Sequence, residues 1–100
     1  MSTSEPPYAE GERVFGPPAW SFDADWVAAA ARQQDPGLPP ETAGLLAGQA
    51  WAELSRLGEL DAPALARALM AANPGVGATP CNVVATASVS FCELYDVHPG

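Results

Sequence analysis

The stretch Ala78-ATPCNVVATASVSFCELYDV-Val97 decides the fold, because it satisfies two periodicities at once. As a strand it alternates well: Cys81, Val83, Ala85, Ala87, Val89 and Phe91 fall on one face, with Asn82, Thr86, Ser88 and Ser90 on the other. As a helix, Thr79 serves as N-cap and Pro80 as the first residue, where a missing N–H costs nothing. Cys81, Val84, Ala85, Ser88, Phe91, Cys92 and Tyr95 then share one face. Intrinsic preference for Val and Thr favours the strand. A strand of this length, however, finds no second strand-like segment to pair with, and its backbone groups would go unsatisfied. The segment is therefore read as a helix.

That reading settles the cysteines. Eleven residues at about 1.5 Å rise place Cys81 and Cys92 roughly 16 Å apart along the helix, whereas a disulfide needs Cα atoms within about 7 Å. Both face inward as free thiols, where cysteine behaves as a small hydrophobe.

Working back along the chain, three more helices are expected. "LDAPALARALMAANPG" has Asp61 as N-cap, Pro63 in the first turn and Asn73-Pro74-Gly75 as terminator. Its inner face is Leu65, Ala66, Leu69 and Asn73. "LPPETAGLLAGQAWAELSRLG" enters through Pro39-Pro40 and stops at Gly58. One stripe carries Ala43, Leu46, Ala50, Leu54 and Leu57, and an adjacent one carries Gly44, Ala47, Gly48, Trp51 and Ser55. More of this helix asks for cover than a surface helix would. Gly44 and Gly48, beside Trp51, let another backbone approach, either within the domain or across an interface between chains. "SFDADWVAAAARQQ" offers Ser21 and Asp23 as caps and ends at Asp35-Pro36-Gly37, with Phe22, Trp26 and Ala30 on one face. The fold expected is all-α: a small four-helix domain over residues 21–97.

Residues 1–20 precede it, with four prolines, three glutamates and two glycines up to Pro18 and no helical period, so an extended Pro-rich N-terminal arm is expected. Tyr8, Phe15 and Trp20 equip that arm to dock on its own domain or on a neighbour.

Composition narrows the function. The 100 residues hold one domain. Twenty alanines spread the apolar material thinly, and there is no lysine or isoleucine. Four arginines face twelve carboxylates, for a net charge of −8. Affinity for nucleic acid rests on cations that neutralise phosphates, so DNA or RNA binding is disfavoured, and anionic membranes equally. No run is apolar enough to span a bilayer and no basic n-region precedes an apolar stretch, so a cytoplasmic address is expected.

No catalytic constellation emerges. The one histidine, His98, sits in the tail; two thiols and one imidazole fall short of a zinc set; "NPGVGAT" connects helices and lacks the phosphate-cradling spacing. Asp23 with Asp25, and Glu59 with Asp61, sit at helix starts, where negative charge favours the dipole. The third and fourth helices invite a helix-turn-helix comparison, and a regulator of that type is a further alternative, disfavoured because the Asn73–Ala78 connection is longer than usual and the would-be recognition helix has no Lys or Arg. Neither metal nor cofactor is expected.

The function expected is a non-catalytic, acidic interaction module or accessory subunit. It would bind a protein partner, itself included, through Tyr8, Phe15, Trp20, Gly44, Gly48 and Trp51. As an alternative, Thr79, Thr86, Ser88 and Ser90 beside Cys81 and Cys92 make the last 22 residues resemble the core of a lanthipeptide-type precursor. That resemblance implies a leader over residues 1–78 and modification at those six positions, through dehydration of Ser and Thr and addition of Cys thiols.

Overall fold

The structure is a computed structural model that describes residues 22–99. Four helices make it up: α1, Ala24–Gln34; α2, Pro40–Leu57; α3, Ala62–Ala72; and α4, Ala78–Tyr95. There is no strand among the described residues, so the deciding stretch is a helix and the all-α expectation holds. Residues 1–21, including the arm and Ser21, lie outside the described part.

Each helix begins and ends for a local reason. Asp23 Oδ1 accepts from the Trp26 N–H at 3.0 Å and caps α1. Asp61 does the same for α3, accepting from Ala64 N–H at 3.1 Å. These bonds satisfy donors that the first turn of a helix leaves without partners. At the end of α1, the Asp35 carboxylate accepts from Gly37 N–H at 3.2 Å. Arg32 Nε donates to the Leu38 carbonyl at 3.0 Å. Together they fold the connection so that Leu38 enters the core, with 2% of its surface exposed. Gly58 closes α2 at φ 73°, left-handed backbone that suits a residue without Cβ. Asp96 closes α4 at φ 56°, one of the few side-chain-bearing residue types that tolerate this region.

One boundary differs from expectation. The cap of α4 is Gly77, not Thr79, and makes no side-chain bond. The helix runs two residues further back because Pro80 is tolerated anywhere in the first turn, where no N–H is required.

The helices α2 and α4 pack on each other, and α1 and α3 each pack against both of them. The shared interior holds Val27, Leu46, Leu54, Leu65, Leu69 and Val84, all fully buried. The expected inner faces are recovered for α3, in Leu65, Ala66 and Leu69. On α4, Cys81, Val84, Ala85, Ser88, Phe91 and Cys92 are buried as expected, joined by Ala87. Tyr95 is not: it lies 56% exposed at the helix end. A pair of reciprocal amide bonds ties α2 to the end of α3. Asn73 Nδ2 donates to Gln49 Oε1 at 2.6 Å, and Gln49 Nε2 donates to Asn73 Oδ1 at 3.3 Å.

Candidate interaction surface

The aromatic residues form a seam across α1, α2 and α4. Phe22 stacks on Trp51 with ring centroids 5.4 Å apart, and meets Phe91 edge-on at the same separation. Phe91 in turn lies 5.2 Å from Trp26 and 4.8 Å from Tyr95. Contacts of these geometries add about 0.5–1.5 kcal/mol each beyond the area they bury. Phe22 is thereby fixed, with 8% exposure, where the described chain begins.

Of the partner-binding residues read from the sequence, Tyr8, Phe15 and Trp20 lie outside the described residues. Trp51 is half-buried, with its ring occupied by Phe22. Gly44 and Gly48 are exposed, and a Cβ placed on either would meet nothing within 4 Å among the described residues. Among the described residues, nothing uses the close approach that their spacing permits. The second stripe of α2 divides: Ala47 goes into the core, while Gly44, Gly48 and Ser55 face outward. Leu45, half exposed, and Ala52 continue that outer surface. Its charged flank is modest, since Arg56 pairs with Glu53 three residues earlier on the same helix.

The six modification candidates share one continuous helix. Thr79 and Thr86 are exposed, Ser90 is half-buried, and Ser88, Cys81 and Cys92 are buried. Ser88 Oγ donates back to the Val84 carbonyl at 2.8 Å, which satisfies its hydroxyl inside the core. Burial pushes the Cys81 thiol up from its ordinary value. The Cys92 thiol is pushed up to about 11, by burial first and by the Glu93 charge second. Both thiols are free, as the helical spacing requires, and their raised values keep them in the unreactive protonated form at neutral pH.

No group of three or more His, Cys, Asp or Glu is placed to hold a metal ion among the described residues. His98 Nε2 lies 2.8 Å from Asp96 Oδ1 in the exposed tail. Asp23 and Asp61 act as helix caps, as the carboxylate pairs suggested. No described helix is long and apolar enough to cross a membrane.

The sequence reading paired Phe22 with Trp26 and Phe91 with Tyr95 at four-residue spacing but missed the seam, because no local period relates the two pairs to each other or to Trp51. It also missed the Gln49–Asn73 pair and the Arg32 contact. The available signals were those two spacings and the presence of several large aromatics in an alanine-rich chain. Comparison of the chain with protein-family models, curated proteins and solved structures finds no match.

Proposed function

We propose that this chain is a non-catalytic interaction module, or accessory subunit of a larger assembly. It binds another protein, a further copy of itself included, through the outer face of α2 and the arm aromatics Tyr8, Phe15 and Trp20. The observation that carries this reading is the apolar surface of Gly44, Leu45, Gly48 and Ala52, which no described residue covers. Exposed apolar surface of this kind is characteristic of sites where proteins meet. Glycines allow a partner's backbone to come close, and Trp51, braced by Phe22, supplies a rigid edge of the type that anchors interfaces. A cytoplasmic setting fits the two unpaired thiols, since reducing compartments keep them so.

Affinity purification from the source organism, with wild type and Gly48→Leu side by side, tests the reading. Wild type should retain a stoichiometric partner, and the substitution should weaken its capture at least tenfold, about 1.4 kcal/mol, with helicity unchanged. Light scattering of the two proteins shows whether the partner is a second copy. Equal capture by both proteins, with neither self-associating, overturns the reading.

A further inference from the structure

A second surface lies on the other side of the seam, and we infer that it is occupied by the chain's own segment Pro17–Trp20. A groove of about 480 Å³ runs between α1 and α4. Trp26, Ala30, Val83 and Ala87 supply its apolar lining, and the amides of Gln33, Gln34 and Asn82 lie along it. Every described side chain that lines it is uncharged, in a chain of net charge −8. A neutral, apolar occupant suits the groove, with its carbonyl oxygens within reach of the amide N–H groups of Gln33, Gln34 and Asn82.

The segment before Phe22 meets each requirement. Val14-VFGPPAWSF-Phe22 is the longest uncharged run in the first 22 residues. Pro17 and Pro18 have no N–H to satisfy and bias the backbone to the extended polyproline form, whose carbonyls stay open to donors. An aromatic ring flanked by such donors, as Trp26 is here, is a recurrent element of grooves that hold proline-rich segments.

Length and attachment also agree. The groove follows α1 from Trp26 to Gln34, eight residues, or about 12 Å of helix. Four polyproline residues at about 3.1 Å each cover the same distance. Phe22 is held in the seam against Phe91, and Phe91 touches Trp26 at the groove's end. Trp20, two residues from Phe22, is within about 7 Å of that anchor along the chain. Tethering of this kind gives an effective concentration on the order of millimolar, so even weak groove contacts are populated. The inference does not rest on the partner reading: it involves no second protein, leaves Gly44 and Gly48 open, and withdraws only Trp20 from the partner surface, with Tyr8 and Phe15 remaining for it.

The test uses the full ¹⁵N-labelled chain and the arm variant carrying Pro17→Ser, Pro18→Ser and Trp20→Ser, whose changes all lie outside the four helices. The arm variant should shift the amide resonances of Ala30, Val83, Thr86 and Ala87 and leave those of Gly44 and Gly48 in place. In wild type, nuclear Overhauser contacts should join the Trp20 indole to the Val83 methyls. Thr86→Arg, a substitution at an exposed groove position, should abolish those contacts while the helices persist. Shifts confined to the sequence neighbours of position 20, or centred on Gly44 and Gly48, overturn the inference. So do Trp20 contacts that appear only between labelled and unlabelled chains in a mixed sample, which would make the occupant a second copy.

Discussion

The helices α2 and α4 are both 18 residues long and pack against each other, yet they distribute side chains in opposite ways. α2 puts Leu46 and Leu54 inside and leaves Gly44, Leu45, Gly48 and Ala52 outside, an apolar patch bounded by the exposed Glu41, Ser55 and Arg56. α4 puts cysteines, valine, alanines and Ser88 inside, and its outer face carries Asn82, Thr86 and Glu93. α2 exposes small apolar residues along its length, whereas α4 buries polar atoms in the core and exposes large apolar side chains, Leu94 and Tyr95, only at its end. The difference teaches that burial follows volume and fit more than the polarity of the residue name. A serine whose hydroxyl bonds back to its own helix is accommodated within the core, while a glycine contributes so little area that leaving it in water costs little.

The comparison is broken most directly at the seam. Phe91→Ala removes a ring that touches Phe22, Trp26 and Tyr95, and should destabilise the fold by about 3–5 kcal/mol in urea titration. Leu46→Ala, at a fully buried site on α2, should cost about 2–5 kcal/mol by the same measurement. A loss below 1 kcal/mol at either position would mean that the core is not closed there.

The next effect depends on pH. The Cys92 thiol is held protonated up to about 11 in the fold, against an ordinary value of 9.0. Its folded value is raised, so above about pH 9 the unfolded chain releases the proton first and ionisation pulls the equilibrium toward unfolding. The contribution is complete below about pH 9 and is lost progressively as pH rises toward 11. Urea midpoints between pH 8 and 11 should therefore fall more steeply for wild type than for Cys92→Ala.

The outer face of α2 should respond in the other direction. Gly44→Ala with Gly48→Ala meets open space at both sites, and should raise stability by about 1–2 kcal/mol through helix propensity alone. Destabilisation would show that something packs against those glycines. The smallest effect belongs to Ser88→Ala, since the Val84 carbonyl that loses the hydroxyl remains within the helical ladder. A change under about 1 kcal/mol is expected from thermal unfolding, in line with the modest net value of a single hydrogen bond.

Much of the fold was legible because punctuation and period agreed. Asp61 and Asn73-Pro74 bound α3 in the sequence and in the structure alike, and Gly58 ends α2 in both. The strand-like alternation of α4 yielded to the argument that no partner strand existed. The start of α4 was less legible, because Gly77 and Thr79 are both acceptable caps and a proline at the third helical position does not discriminate between them. Tyr95 was assigned to the interior by angle alone, but the end of a helix extends past the core it packs against. For the candidate surface, sequence identified Gly44, Gly48 and Trp51 as neighbours on one helix. It did not show that the glycines face outward while Trp51 leans on Phe22, since that depends on where α1 sits.

The clasp between Gln49 and Asn73 bears on how the protein ages. Asparagine deamidates chiefly when the nitrogen of the following residue attacks its side-chain carbonyl, and here that residue is Pro74, whose nitrogen has no proton to lose. The amide that joins α2 to the end of α3 is thereby shielded from the commonest spontaneous lesion of its residue type. On storage, Asn82, followed by Val83, should convert to aspartate well before Asn73 does.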